Sequence, residues 1–456
     1  MSSSEPFRTG ALTGIAAILC VGALWAAPAD DKQAAAAVRG WLRQEAAPMG
    51  VSLGRDIRGV TTYRDDKGAA VYHVVAFVPS GFAIVSADDQ IEPVIAFAGS
   101  GMYDPSDRNP LGALVTHDLP GRLAAVQETS GRDMAALRAS KASARGKWRN
   151  LIDRAAAPAV EAGLGSVSDV RVAPLIATRW SQTTVSGNAC YNYYTPPGAE
   201  GTATNYPSGC AATACAQLMR FWQHPVAGVG TPAFNIAVDS VVQPRNLRGG
   251  DGAGGAYSWS DMVLVPASGS TLVQRQAIGA LCHDAGVAIN MGYTASGSGA
   301  DTLMNATALV NTFGYSNAVK GYNSGGNIGA GLNAMANPNL DAGYPVLFGI
   351  TGTPGGHAIV GDGYGYSSGT LYHHCNMGWA GTSDAWYNLP TIDSAAGTFT
   401  STYKCVVTCT SPAWAAATGA WGATWAWASL FLPRRLRTCP TTLLKDPSCF
   451  RQSVQR

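Results

Sequence analysis

The chain has 456 residues, a formal net charge of +2 and only 13% charged residues. That length exceeds what one hydrophobic core usually serves, so the expected organisation is two folded domains with terminal processing segments. No long basic run supplies the electrostatic footprint that nucleic-acid binding needs, which sets nucleic acid aside as a partner, while 54 glycines and 46% hydrophobic residues suit a loop-rich exported protein with a sizeable core.

At the N-terminus Arg8 precedes an apolar run over residues 11–25 and then Ala27-Pro28-Ala29, the small-residue pattern read by signal peptidase. The uncharged run is short for a membrane span, so residues 1–29 are expected to be a removed signal peptide and the protein to be secreted, or held at the surface of a bacterium. Residues 30–48 read as a helix. Residues 71–78 and 82–85 are two β-rich runs split by Pro79-Ser80-Gly81, a hairpin pattern. Residues 119–160 are rich in Ala, Arg, Lys and Leu and favour helix, with a connector near 155–165. A first folded unit is therefore expected over 30–165 and a second over 166–411.

From residue 172 the composition shifts towards Gly, Tyr, Trp and Asn. Helical runs are expected at 211–223 and 271–285, and strands at 346–350, 357–361 and 372–376 between glycine-rich turns. Helices first and strands later imply an α+β domain whose two halves face each other.

Within that domain four segments carry chemistry. Trp180-Ser181-Gln182 lies in a polar loop upstream of a turn-to-helix transition, Asn205-Tyr206-Pro207-Ser208-Gly209-Cys210, where an Ala-rich helix begins and runs until Pro225 ends it. A cysteine at a helix start meets unpaired N–H groups and the positive end of the helix dipole, which stabilise a thiolate, while Gly209 leaves room for a substrate backbone. For an arbitrary exported cysteine the bland reading is a half-cystine or packed residue. Cys215 serves as the comparison, because five residues rotate it about 140° from Cys210, so it is expected in the core.

A thiol nucleophile needs a base, and Pro354-Gly355-Gly356-His357-Ala358-Ile359 offers His357 at a strand start behind two glycines. Downstream, Asn376 in Cys375-Asn376-Met377-Gly378-Trp379 is placed to accept from the imidazole N–H, and Trp379 to cover the pair. Standing alone, Asn376 reads equally as a turn residue and Trp379 as core. Because acyl transfer develops negative charge on a carbonyl oxygen, the Gln182 amide beside the Cys210 N–H is a candidate oxyanion hole, with an exposed loop glutamine as the plain alternative.

Ten cysteines leave disulfide connectivity open; Cys405 with Cys409, and Cys439 with Cys449, are the nearest pairs. No spacing resembles a zinc site, and neither a metal nor a cofactor is expected. Residues 413–432 are rich in Ala, Trp and Leu and are followed by Pro433-Arg434-Arg435. A membrane-contacting helix, a packed strand and a removable sorting tail all fit this segment, so 412–456 is set apart from the folded domains.

Taken together, residues 172–405 resemble the streptopain family of papain-like cysteine peptidases. The opening Val172-Ala173-Pro174-Leu175 through Gln182, the nucleophile segment Gly209-Cys210-Ala211-Ala212-Thr213-Ala214, Tyr257-Ser258-Trp259-Ser260-Asp261-Met262, Ser298-Gly299-Ala300 and Gly355-Gly356-His357-Ala358 fall in that family's order. Residues 69–101 resemble its inhibitory prodomain. The resemblance implies a papain-like two-lobed peptidase domain behind a small α+β prodomain, and a Cys210–His357 dyad with Gln182 at the oxyanion hole. It also implies protein or peptide substrates, and the chain's own prodomain as inhibitor. Gly209, Ser298, Gly299, Ala300, Gly356 and Trp379 are the candidate substrate-contacting residues. One departure stands out: Met377 occupies the place of a family tryptophan. It motivates a second reading, an impaired relative acting as a surface binding or inhibitor protein, and an acyl transferase resembling a transglutaminase is a third.

Overall fold

The structure is a computed structural model that describes residues 28–54, 56–127, 134–157, 168–323, 328–351, 356–389 and 402–410. The expected signal peptide up to residue 27, most of the connector near 155–165 and the whole 413–432 segment lie outside the described residues. Among the described residues no helix is long and apolar enough to cross a membrane.

The N-terminal half opens with α1 (Asp31–Gln44). Asp30 Oδ1 accepts from Gln33 N at 2.7 Å and Gln33 Oε1 from Asp30 N at 2.9 Å, a reciprocal cap that satisfies two helix-start donors. Four antiparallel strands follow, β1 (Asp56–Arg64), β2 (Ala70–Val78), β3 (Phe82–Ser86) and β4 (Val94–Ala98). The expected hairpin is β2–β3, with Gly81 at φ 94° in its turn. Helices α2 (Pro110–Gln127) and α3 (Met134–Ala156) complete this half. The first of them begins nine residues before the expected 119, because Asn109-Pro110 starts a helix: Asn109 Oδ1 accepts from the N–H groups of Leu111 at 3.0 Å and Gly112 at 3.4 Å.

The C-terminal half places its helices early. After β5 (Asp169–Val172) and the short pair β6 (Thr184–Val185) and β7 (Asn188–Ala189) comes α4 (Cys210–Trp222). The hairpin β8 (Ala233–Val238) and β9 (Val241–Asn246) leads to α5 (Leu272–Ala288), β10 (Gly292–Tyr293) and α6 (Met304–Asn311). Next come β11 (Asn317–Tyr322), α7 (Ala330–Asp341), β12 (Val346–Ile350), β13 (His357–Ser367), β14 (Thr370–Asn376), β15 (Ala385–Tyr387) and β16 (Thr402–Thr410). The fold is α+β, as the sequence implied.

One antiparallel sheet joins the two halves in the order β1-β2-β3-β4-β15-β14-β13-β12-β16-β11, with β5 pairing β13 off that path. The junction is the β4–β15 pair, in the register Phe97↔Trp386 and Ala96↔Tyr387. Strand β13 alternates faces: Ala358 and Val360 enter the core built by α4 and α5, while Ile359 enters the core shared with β2–β4 and α2. The sheet lobe therefore buries residues of both halves together. A third core, containing Trp41, Phe97, Trp148, Tyr372 and Trp386, repeats this sharing across α1, α3 and β14–β15.

The seven described cysteines from Cys190 to Cys409 are free. The pairing of Cys405 with Cys409 weighed above is not formed. Both thiols lie along β16, and four residues of strand span about 13 Å, too far for one disulfide. Cys439 and Cys449 lie outside the described residues.

Candidate active site

Helix α4 begins without a side-chain cap, unlike α1 and α5, which both carry reciprocal caps. Its leading N–H groups are thus left for a charge that the helix does not supply. Gly209 precedes it at φ 88°, and a Cβ there would lie 2.8 Å from both Met291 Cε and Ser298 O, so only glycine fits. Ser208 ties this turn to the upstream loop, its N and Oγ donating to Gln182 O at 2.8 and 3.3 Å. Gln182 itself is buried. The Cys210 turn and the Gln182 loop are held as one unit.

Cys210 is partly exposed, and its Sγ accepts from Ala358 N at 3.4 Å. That bond brings the start of α4 against the start of β13, where His357 stands. Burial pushes the thiol up, but the adjacent imidazole and the N–H groups of Ala358 and Ala211 outweigh it and hold Cys210 below its ordinary value. His357 shows the converse: burial lowers it, and the sulfur and the Asp107 carbonyl hold it above its ordinary value. Cys215 lies in the core, where burial alone raises its thiol to about 12. One helix thus carries two thiols tuned in opposite directions by their neighbours.

The imidazole is held from the other half of the chain. His357 Nε2 lies 2.6 Å from Asp107 O. Because a carbonyl only accepts, Nε2 carries the proton, and in the neutral ring Nδ1 is left as the free base. Nδ1 is buried, and the ring and the Cys210 sulfur act on each other through hydrogen bonding and charge. The Asp107 carbonyl is fixed by its own turn: Ser106 N donates to Asp104 Oδ1 at 2.9 Å, and Asn109 N to Ser106 O at 3.0 Å.

The bond expected from the imidazole to Asn376 is not made in this state. Asn376 Oδ1 accepts from Gln217 Nε2 and Gly378 N, both at 3.0 Å, and its Nδ2 donates to Thr178 O at 2.8 Å. Its oxygen accepts from two of these partners and its Nδ2 donates to the third, while Asp107 takes His357 Nε2. Trp379 is half-buried and, with the fully buried Met377, packs on the core shared with β2–β4 and α2. Met377 N donates to Asp384 Oδ1 at 2.9 Å, which fixes this turn.

Among the candidate substrate residues, Ser298 is buried with its Oγ unpartnered, and Gly299 exchanges N–H···O bonds of 2.9 and 3.0 Å with Gly292. Ala300 packs at the edge of the helical core, and Gly356 precedes His357 at φ 84°. Sequence reasoning missed Asp107 and Gln217. The first had no signal beyond the Asn109-Pro110 helix start. The second stands seven residues after Cys210, about 20° from it around the helix, a polar residue on the nucleophile's own face.

Comparisons with known proteins point to cysteine peptidases. Residues 180–387 match the Peptidase C10 family, and residues 26–116 match the Spi protease inhibitor family. Streptopain of Streptococcus pyogenes is 25% identical over 358 residues, covering 76% of this chain and 79% of its own. A thiol protease/hemagglutinin of Porphyromonas gingivalis is 26% identical over 304 residues, covering 67% of this chain and 32% of its own. In fold, the chain is similar to a prointerpain A fragment from Prevotella intermedia, with a TM-score of 0.52, 21% identity, and coverage of 76% of this chain and 97% of that one.

Proposed function

Starting from a cysteine peptidase whose residues 180–387 match the Peptidase C10 family and whose residues 26–116 match a protease inhibitor family, we propose that it is a secreted endopeptidase made as a zymogen, with Cys210 as nucleophile and His357 as base. The observation that carries this reading is the thiol at the uncapped start of α4, lowered by the imidazole at the start of β13.

In the reaction, the Cys210 proton passes to His357 Nδ1, and the thiolate attacks the carbonyl carbon of a peptide bond. The resulting oxyanion is held by the Cys210 N–H and the Gln182 amide. Collapse expels the amine, which takes its proton from His357, and water then hydrolyses the thioester with His357 again as base. Gly209, Ser298, Gly299, Ala300, Gly356 and Trp379 are proposed to line the substrate cleft.

Residues 1–29 are proposed as the signal peptide, 30–165 as the prodomain, 166–411 as the peptidase domain and 412–456 as a separate tail. Latency follows from two contacts. The Asp107 carbonyl occupies the imidazole from the prodomain side, and β4 extends the sheet at β15. Cleavage of denatured protein by the parent and by the Cys210→Ser variant tests the reading. The variant is expected to lose at least 10²-fold of the parent rate, and a variant retaining most of that rate would remove Cys210 from the mechanism.

A further inference from the structure

The two reacting groups stand on different parts of the fold, Cys210 on α4 and His357 on β13. Apart from the Ala358 N contact to the sulfur, they need a structural link that fixes the gap between them. Gln217 supplies one. It is fully buried and lies about 20° from Cys210 around the helix, two turns and roughly 10 Å further along. Its Oε1 accepts from Thr178 Oγ1 at 2.9 Å and from Trp180 N at 3.3 Å. Its Nε2 donates to Asn376 Oδ1 at 3.0 Å, and Asn376 Nδ2 returns to Thr178 O at 2.8 Å.

These bonds close a ring through three segments. Asn376 pairs with Val360 in the β13–β14 ladder, three residues from His357. Thr178 and Trp180 lead into the Gln182 loop, and Thr213, four residues before Gln217 on the same helix face, donates to Ser181 O at 3.2 Å. The two amides can each be oriented in only one way. Trp180 N must donate, so Gln217 presents its oxygen to that side and its nitrogen to Asn376; Gly378 N must donate, so Asn376 presents its oxygen to Gly378 and Gln217. Gly378 sits at φ 64°, and a Cβ there would come within 3.3 Å of Thr213 Cγ2, so the turn is pressed onto this helix face.

We propose that Gln217 is a positioning residue of the peptidase: by clamping Asn376 and the Thr178–Trp180 segment to α4, it sets the spacing of Cys210 and His357 and the place of Gln182. Asn376 then serves as the strand-side half of this clamp rather than as the imidazole's own acceptor. The inference rests on the Cys210–His357 reading above, and its test separates the two.

The full chain is treated with iodoacetamide over a range of pH, and the rate of Cys210 alkylation is followed by peptide mass spectrometry in the parent, Gln217→Met and Gln217→Glu. In Gln217→Met the clamp is gone, so the alkylation midpoint should rise by about one pH unit as the imidazole loses its place beside the sulfur. Peptide hydrolysis should fall by about 10²-fold, the effect of a displacement near 1 Å. Gln217→Glu keeps the bonds from Thr178 and Trp180, and donates to Asn376 only while its carboxyl is protonated. Its alkylation rate relative to the parent should therefore fall as pH rises. A folded Gln217→Met with the parent's midpoint overturns the proposal. So does a pH-independent ratio for Gln217→Glu, which decides the matter if Gln217→Met does not fold. A parent chain whose Cys210 shows no lowered midpoint instead overturns the underlying assignment of the nucleophile.

Discussion

Two buried polar junctions tie this molecule together, and they are built differently. Inside the peptidase half, Gln217, Asn376 and Thr178 form a ring of neutral amide and hydroxyl groups, with every bond between 2.8 and 3.3 Å. Between the halves, Asp118 and Arg122, an ion pair one turn apart on α2 at 2.8 Å, face the end of β15: Asp118 accepts from Tyr387 Oη at 2.6 Å, and Arg122 donates to Asn388 Oδ1 at 2.8 Å and to the Asn388 carbonyl. The first junction joins segments that have to stay together for the chemistry. The second joins segments that have to part if the zymogen is to mature. A buried ion pair adds little net stability over an apolar contact, because desolvation offsets the attraction, yet losing one partner is severe. When the halves part, the pair stays together on α2 and its exposed charges are readily taken up by water. A neutral amide ring has no such release, which suits a permanent clamp.

The largest effect should come from His357, the group that both halves address. His357→Gln removes the base and the cation beside the sulfur, and hydrolysis should fall by about 10²–10⁴-fold. The Cys210 alkylation midpoint should rise, since burial is then opposed only by the Ala358 and Ala211 N–H groups. In the parent, the limb of the pH–rate profile set by Cys210 should lie below the ordinary thiol value, and the limb set by His357 above the ordinary histidine value. A pH–rate profile that tracks an ordinary thiol and an ordinary histidine would break the comparison at its centre.

Removing Arg122 tests the charged junction. Arg122→Ala leaves Asp118 buried with Tyr387 as its remaining partner, and the full chain should lose about 3–5 kcal/mol in denaturant unfolding. If stability hardly changes, the charged junction contributes little to holding the halves and the contrast with the neutral ring fails. Gly209→Ala forces a side chain into positive φ and against Met291 and Ser298, and should cost about 1–3 kcal/mol while disturbing the Cys210 turn. The smallest change is Ser383→Ala, which removes the 2.8 Å bond from Asn109 Nδ2 across the junction and should cost about 0.5–1.5 kcal/mol.

Much of this organisation was legible in the sequence, because the signals were local. The β2–β3 hairpin announced itself through two β-branched runs around Pro79-Ser80-Gly81, and α4 through the Gly209-Cys210 start and the Pro225 stop. Rotation about a helix was enough to send Cys215 to the core. What could not be read was set by tertiary contact. Strand β1 is exposed or half-exposed along its length and lacks a strong apolar run, and β15 has only three residues, so neither stood out, although β15 is where the halves join. The strand-into-glycine turn at Asn376 suggests an imidazole partner, but a side-chain amide takes whichever partners surround it, and here these are Gln217, Gly378 and Thr178. Asp107 contributes through its backbone carbonyl, a group that every residue carries and that no sequence pattern marks.

The most direct test of the zymogen reading is mass spectrometry of the purified full-length protein, alone and after reaction with a thiol-reactive epoxide, for the parent and for Cys210→Ala. The account predicts that the parent yields a fragment beginning near residues 155–172, with one adduct located on Cys210, and that Cys210→Ala stays intact and unlabelled. An adduct on another cysteine, or processing that proceeds unchanged without the Cys210 thiol, would contradict it.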